Sequence, residues 1–329
     1  MNALKKITGY HNFGLILGIA GLLIIAAFLT PSMFSLTTAH NMLQNNSVYA
    51  LLSIGMMFVL LTGGIDLSVA STLGLSGVSA SLLMDNFNEV PAIVWLIASV
   101  VIGALCGFVN GLLIGKLKMI PLIATLGTMY IYRGIAFLIS NGVWVFPHRF
   151  TEDYKAFAQG KIFGIYNIIW ITVIVYIIVA FFLGYTKSGR YIYAVGTNEN
   201  SAKIAGINPS NVKVLAYTLC GAVAGLAGML FTANYALCSS QIGTGFEMQA
   251  IAICILGGVS INGGRGRVDG VVIGVIIMSI ISNFISMLPG FSVWQDAIRG
   301  IIIIIAVAIN LITGKMIENN ALKERDALI

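Results

Sequence analysis

Three ionisable side chains lie within or beside long apolar segments of this sequence, where a charge needs a partner or a role. Asp66 follows a glycine pair, Arg133 lies midway through the apolar segment 120–140, and Glu247 comes just before a shorter apolar segment. A lone charge inside a membrane costs about 3 kcal/mol on insertion scales, so such residues are paired, hydrated or functional. All three could act as gates or carry a proton or an ion. The structural alternatives are that Asp66 and Glu247 stabilise helix starts, and that Arg133 binds carbonyls of an interrupted helix; we favour these for Asp66 and Arg133.

The other reactive residues form no recognisable site. The four cysteines have neither C-x-x-C spacing nor a histidine at ligand spacing, and the three histidines are scattered. The sequence contains no G-x-x-x-x-G-K-[ST] loop, so we expect no P-loop nucleotide site. The sequence therefore predicts no metal site, no catalytic residues and no cofactor bound by this chain.

Uncharged polar side chains at or within the apolar segments form a second set of candidates. Such groups can bind hydroxyls, but they also tie helices together in a membrane. For Asn110 we weigh a helix–helix partner and a hydrated path equally. The candidate translocation path consists of Asn45, Asn110, Thr125, Asn234 and Asn283.

The elements that must position these side chains are membrane helices. The chain has 329 residues, of which 58% are hydrophobic and 9% charged, whereas roughly a quarter of a soluble domain is charged. Two of the apolar segments, 47–62 and 248–261, are shorter than the roughly 20 residues of a full span, so eight or nine spans are possible. We predict an all-α polytopic protein, one membrane domain over residues 1–329, with about ten spans at 14–30, 47–62, 67–84, 91–115, 120–140, 163–185, 214–233, 248–261, 268–288 and 293–313.

The basic residues predict the orientation of these spans. Thirteen of the 18 lysines and arginines fall in segments on one side, including both termini, and only Arg149, Lys155 and Lys161 fall on the other. Because cytoplasmic loops are enriched in lysine and arginine, both termini should be cytoplasmic. The net charge of +6 follows from this bias, and no soluble basic domain exists that would bind nucleic acid.

The polar island 187–213 between two apolar segments should carry a short surface helix. Thr197 can cap it, Gly206 supplies a left-handed stop, and Pro209 prevents its continuation. These signals predict about two turns of helix over 198–205. A helix this short is unstable alone in water, so it should pack against the membrane domain or a second protein.

Glycine spacing predicts how the spans pack. Glycines recur every four residues along one segment, and a similar series occurs in a later one: Gly103, Gly107, Gly111 and Gly115, then Gly221, Gly225 and Gly228. Small faces let helix backbones approach closely in lipid. Two further glycine pairs, in the similar segments 61–66 and 256–260, are either simple turns or interruptions of helices, which mark transport paths.

Several motifs in order resemble the membrane permeases of bacterial ABC importers for simple sugars, the ribose, xylose, galactose and autoinducer-2 group. The resemblance covers almost the whole chain. It is carried by 61–71 (LTGGIDLSVAS), Asn110 with Gly111, 121–127 (PLIATLG), Arg133 with Gly134, 189–196 (GRYIYAVG), 203–208 (KIAGIN), 257–260 (GGVS) and 263–267 (GGRGR).

The resemblance implies a multi-pass protein of the bacterial plasma membrane that works with several partners. These are a second permease copy or a paralogue, cytoplasmic cassette ATPases that bind ATP and Mg, and an extracytoplasmic sugar-binding protein. It also implies that the surface helix couples the permease to the ATPase, through Asn198, Glu199, Ala202, Lys203, Ile204 and Gly206. Members of this family often have Glu-Leu-Asp after a Gly-x-Gly, whereas this chain has Glu247-Met248-Gln249 there. The identity of the solute therefore cannot be copied from the ribose members.

A second class of function competes with the importer. An ion- or proton-coupled secondary transporter or channel would use Asp66, Arg133 or Glu247 as its coupling groups. The surface helix predicted over 198–205 favours the permease of an ATP-driven importer. A permease without a nucleotide site must receive its energy mechanically from another protein, and a short rigid helix transmits such a movement better than a flexible loop.

Overall fold

The computed structural model describes residues 30 and 34–287 and the single positions 290, 294, 297, 298, 300, 301 and 304. The chain divides into two compact units, and residues 43–275, which form the larger one, carry almost every feature considered below. Within the described residues the helices are α1 Leu36–Leu61, α2 Val69–Asn86, α3 Ala92–Gly111, α4 Pro121–Ser140, α5 Glu152–Gln159, α6 Asn167–Tyr185, α7 Lys187–Thr197, α8 Glu199–Ile204, α9 Pro209–Tyr235, α10 Phe246–Leu256 and α11 Val268–Met287.

Six helices of the described residues are long and apolar enough to cross a membrane. They are α1, α3 with the π-helical extension Leu112–Lys116, α4, α6, α9 and α11. The helix α10 has 11 residues and is about 16 Å long, roughly half of the hydrocarbon core. The predicted segment 248–261 was expected to be short or interrupted, and this helix has that form. The predicted span 14–30 and most of 293–313 lie outside the described residues.

Two predicted boundaries were wrong. The span 47–62 was predicted to be short, yet α1 begins at Leu36 and has 26 residues. Amide and hydroxyl side chains in its first turns lower the hydropathy there and concealed its start. The segment 163–185 begins as a helix only at Asn167. Its first residues form an antiparallel hairpin, β1 Lys161–Ile162 and β2 Ile165–Tyr166, and the turn places Phe163 and Gly164 at positive φ.

The predicted glycine packing is confirmed between α3 and α9. A Cβ atom added at Gly103 would lie within 3.0 Å of backbone atoms of Gly221 and Gly225, and one added at Gly107 would meet the Tyr217 carbonyl. The Ser99 hydroxyl also donates to the Gly225 carbonyl at 2.5 Å. The two helices therefore meet backbone to backbone, as small-residue faces allow in lipid.

Burial differs sharply among the spans. In the most apolar window of α1, 72% of residues are buried in protein, against 28% in α4 and 17% in α6. The helix α1 is therefore a core element of the bundle, whereas α4 and α6 present most of their surface outward.

The long loop 141–162 is folded onto the bundle. Its helix α5 inserts Tyr154, which is fully buried and whose hydroxyl lies 2.8 Å from that of Thr232 on α9. The carboxylate of Asp153 accepts from the Ala92 amide at 2.9 Å, at the start of α3. This loop thus gains a defined position from one buried phenol and one helix-start contact.

Candidate functional site

The polar island 187–213 contains two helices rather than one. The helix α8 is capped by Asn198, whose side-chain oxygen accepts from the Ser201 amide at 2.9 Å. The predicted cap Thr197 instead ends α7, and its hydroxyl donates back to the Tyr193 carbonyl at 2.8 Å. The predicted helix 198–205 is observed as Glu199–Ile204.

The helix α7 was missed by sequence reasoning, although a signal existed. Gly189, Ile192 and Val195 are buried, and their three-residue spacing is that of one helix face. The Thr186 side chain caps this helix by accepting from the Gly189 amide at 3.0 Å.

The end of α8 has the stop that the sequence predicts. Gly206 has φ +80°, and the amides of Gly206 and Ile207 donate to the carbonyls of Lys203 and Ala202, each at 3.0 Å. This pairing satisfies carbonyls that would otherwise be free at a helix C-terminus. The next helix, α9, then begins with Pro209 behind an Asn208 cap.

One side of α8 is held by the membrane domain and another is free. Ala202 is 4% exposed, whereas Ile204 is 89% exposed. Glu199 binds Lys213 of α9 at 2.7 Å and lies 3.5 Å from Lys203. The hydrogen bond from Lys213 is the main cause that holds the pKa of the Glu199 carboxyl below its ordinary value. A protein partner approaching α8 would therefore meet an apolar side chain on a helix anchored by an ion pair.

The end of α7 contacts the glycine-pair segment 61–66 and a separate glycine pair, Gly263 and Gly264, in the motif 263–267. A Cβ atom added at Gly196 would collide with the Leu61 carbonyl oxygen and would lie 2.6 Å from the Gly264 nitrogen. The Gly264 amide donates to the Leu61 carbonyl at 3.0 Å, and a Cβ atom added at Gly263 would lie 2.8 Å from the Gly63 nitrogen. We call these four glycines, Gly63, Gly196, Gly263 and Gly264, the glycine junction.

A buried polar cluster follows this junction, at the break between α1 and α2. The Asp66 carboxylate accepts from the Ser68 amide at 2.9 Å and from the Ser68 hydroxyl at 2.6 Å. Asn110 of α3 donates to the same hydroxyl at 2.7 Å, and the Thr125 hydroxyl of α4 accepts from the Leu67 amide at 3.1 Å. Asp66 therefore organises the start of α2, and two of the predicted path residues lie beside it.

A second group of predicted path residues lies along the first half of α1. Gln44 donates to the Asn234 side-chain oxygen at 2.7 Å, and the Tyr235 hydroxyl lies 3.5 Å from the Asn45 side-chain oxygen. Asn283 is in the other unit and donates to the Ser279 carbonyl of its own helix at 2.9 Å.

Aromatic rings accompany these amides and were not predicted. The ring of Phe246 lies 4.5 Å from that of Tyr49 and 5.8 Å from that of Phe231. The ring of Phe231 lies 4.8 Å from that of Tyr235. No local sequence signal joins residues so far apart along the chain. We call Gln44, Asn45, Tyr49, Phe231, Asn234, Tyr235 and Phe246 the amide–aromatic cluster.

Arg133 binds the irregular segment that precedes α10. Its Nη1 donates to the carbonyls of Ser240 and Ile242, at 2.8 Å and 2.7 Å. These bonds fix a non-helical backbone that would otherwise be unsatisfied in lipid. Glu247 lies in the first turn of α10. Whether Arg133 or Glu247 also gates transport stays a prediction.

The described residues combine long apolar helices with a break between α1 and α2, the short helix α10 and the surface helices α7 and α8. This combination suits a membrane permease. Residues 38–307 match the family described as the branched-chain amino acid transport system, permease component. The chain belongs to this family of ABC importer permeases. It is a transport component of the bacterial cytoplasmic membrane and not an enzyme.

Characterised relatives match most of the chain. The ribose import permease protein of Escherichia coli (strain K12) is 37% identical over 292 residues, which cover 88% of this chain and 90% of the relative. The ribose import permease protein of Bacillus subtilis (strain 168) is 38% identical, with 91% and 92% covered. The autoinducer 2 import system permease protein of Escherichia coli O9:H4 (strain HS) is 32% identical, with 98% and 94% covered. No solved structure matches. The resemblance inferred from the motifs is confirmed.

Proposed function

We propose that this chain forms the translocation path of an ATP-driven importer for a simple sugar or a related polyhydroxyl solute. The relatives named for ribose and autoinducer 2 support this solute class. The clustering of Gln44, Asn45 and Asn234 supports it as well, since amides and aromatic faces are the groups that bind hydroxyls and sugar rings without a charge. An ion-coupled transporter is not favoured, because Asp66 and Arg133 are both engaged with backbone groups.

The observation that carries the proposal is the exposed Ile204 on an anchored helix. A free apolar side chain on α8, 89% exposed, suits insertion into a protein partner. The partner that this family implies is a cytoplasmic cassette ATPase, which would hold ATP and Mg while this chain holds no cofactor. We infer that α8 is the coupling helix and that Glu199, Lys203 and Gly206 keep it in place.

The glycine junction connects the proposed contact between α8 and the ATPase to the membrane helices. Movement of α8 passes to α7, whose Gly196 touches the end of α1 and the Gly264 turn. The segment 61–66 and the Gly264 turn would then shift together, and with them the Asp66 cluster and α10. This is the change that alternating access requires of interrupted helices.

We further propose the full arrangement of the subunit in its assembly. It has about ten spans with both termini and α8 in the cytoplasm, as the distribution of lysine and arginine favours. Two permease copies, identical or paralogous, share one path, and an extracytoplasmic sugar-binding protein delivers the solute to the amide–aromatic cluster. The buried Gln249 would contribute to the choice of solute through its amide, at a position where members of this family often have an aspartate.

A matched pair of cysteine substitutions on α8 tests the ATPase contact. Ile204→Cys should crosslink to the ATPase in the intact assembly, whereas Ala202→Cys, at a position 4% exposed, should not. Equal crosslinking of both variants, or none of the Ile204→Cys variant, would refute the docking assignment.

Reconstitution tests the energy source. The chain alone in liposomes should take up no sugar when a proton gradient is imposed, and uptake should begin when the ATPase and the binding protein are added with ATP. Uptake by the chain alone, driven by the gradient, would refute the importer and favour the secondary transporter.

A further inference from the structure

A groove of about 700 Å³ lies between α8 and the turn that joins α3 to α4. One wall carries Glu199 and Lys203, and Lys213 closes the groove from α9. The opposite wall is formed by the turn itself, including Lys118, Met119 and Ile120. The volume is that of a small-ligand site, and the groove lies on the side predicted to be cytoplasmic.

The groove is positively charged. Three ammonium groups, those of Lys118, Lys203 and Lys213, accompany one carboxylate, that of Glu199. The carboxylate is satisfied by Lys213 at 2.7 Å, while Lys203 stands farther away at 3.5 Å. Among the described residues, Lys118 has no carboxylate within ion-pair distance. Lys118 is thus a cation without an ion pair among the described residues, and Lys203 has only a longer ion pair, so the groove offers two cations from two different elements to one anion.

Beside the groove the surface is apolar and faces outward. Leu117 is 68% exposed and Ile120 62% exposed, and Leu122 and Ile123 continue this surface along the first turn of α4. Most of α4 is not buried within this chain. A ligand bound by the two lysines would therefore have a hydrocarbon-covered surface next to it, running into the membrane.

We propose that this groove binds the headgroup of an anionic phospholipid from the cytoplasmic leaflet. The phosphate would lie between Lys118 of the turn and Lys203 of α8, and the acyl chains would lie along Leu117, Ile120 and the start of α4. Basic pockets between membrane helices on the cytoplasmic side bind such headgroups. The lipid would join α8 to the turn before α4 and so add a second attachment of α8 to the membrane domain.

The backbone at Lys118 supports a positioned side chain. Lys118 has φ +56°, the left-handed region, which a non-glycine residue adopts only at some cost. This conformation follows the π-helical turn Leu112–Lys116 and turns the chain sharply between α3 and α4. It places a lysine at the groove in a turn where glycine or asparagine would be less strained.

Lipid binding by the purified full-length chain tests the proposal. Phosphatidylglycerol should raise the thermal unfolding midpoint and remain bound in native mass spectrometry, whereas phosphatidylcholine with the same acyl chains should do neither. Each groove lysine near the membrane contributes about a fivefold change in affinity. Lys118→Gln should therefore weaken phosphatidylglycerol binding about fivefold, and the double variant Lys118→Gln, Lys203→Gln more than tenfold.

Matched controls separate the groove from general charge. Lys187→Gln removes a lysine of α7 that does not line the groove, and should leave the lipid preference unchanged. Because Lys118 is an exposed turn residue, its single variant should fold even where the double variant does not. Inorganic phosphate at millimolar concentration should not replace the lipid.

Three results would overturn the assignment. The first is an unchanged lipid preference in Lys118→Gln. The second is stabilisation by inorganic phosphate equal to that by phosphatidylglycerol, which would make the site one for a free anion. The third is a loss of ATPase binding in Lys118→Gln in phosphatidylcholine alone with the lipid preference intact, which would make the groove a protein-docking surface.

Discussion

Gly196→Ala is the sharpest single test of how the proposed coupling helix, α8, acts on the proposed translocation path. The added methyl group would point at the Leu61 carbonyl oxygen and at the Gly264 nitrogen. Both are backbone atoms, so no side chain can rotate away to make room. The end of α7 must move away from α1, or the Gly264 turn must move, or both.

The size of the effect follows from the distances. The separation of 2.6 Å between the new Cβ and the Gly264 nitrogen must widen to at least 3.0 Å, and the approach to the Leu61 oxygen is closer still. Forcing one methyl group into such a contact costs about 1–3 kcal/mol. If α7 moves to relieve that strain, the coupling free energy between the ATPase and the translocation path falls by the same amount. This loss corresponds to about a 5- to 150-fold change in the coupling constant.

The assay is the number of solute molecules imported per ATP hydrolysed by the reconstituted assembly. We expect this ratio to fall at least fivefold in Gly196→Ala while ATP hydrolysis and assembly persist. Gly184→Ala is the matched control, because a Cβ there would meet nothing within 4 Å. Equal ratios for the two variants would refute the role of the glycine junction.

Three further changes probe other contacts. Tyr154→Phe should lower the free energy of unfolding by about 1–3 kcal/mol, whereas Tyr130→Phe, at a position 69% exposed, should change it little; chemical denaturation distinguishes them. Arg133→Met should increase hydrogen exchange in the segment before α10 without altering the solute preference, and an altered preference would favour a gate. The pKa of Glu199 is lowered chiefly by Lys213, so their pair is lost only as the pH falls through that lowered pKa; binding of the ATPase to the unmodified permease, measured by co-purification, should be constant between about pH 6 and pH 8.

Local signals in the sequence predicted much of this arrangement. The four-residue glycine spacing of α3 and α9 predicts close packing, because each glycine series lies on one helix face. Gly206 and Pro209 mark the end of α8 and the start of α9, because a left-handed stop and a fixed φ act on their own residues. The motifs of the permease family extend this reading to function.

What the sequence did not predict depends on contacts between distant residues. The glycine junction joins segments about Leu61, Gly196 and Gly264, and the amide–aromatic cluster joins α1, α9 and α10. The start of α1 was missed because Asn41 and Gln44 lower the hydropathy there, although Gln44 is satisfied by Asn234 in the fold. A polar residue with a partner elsewhere in the fold looks, in the sequence alone, like the end of a span.

The helix α1 is the element that joins the two halves of the proposed mechanism. Its end at Leu61 contacts the glycine junction, and Gln44 and Tyr49 in its first half and middle belong to the amide–aromatic cluster. Gln44 and Leu61 are about 25 Å apart along the helix, and residues 50–61 are all buried. A buried helix bends little because its neighbours are close-packed. In the proposed mechanism, a displacement of Leu61 by α7 would therefore reach the amide–aromatic cluster as a movement of one rigid helix, without a chain of separate side-chain rearrangements.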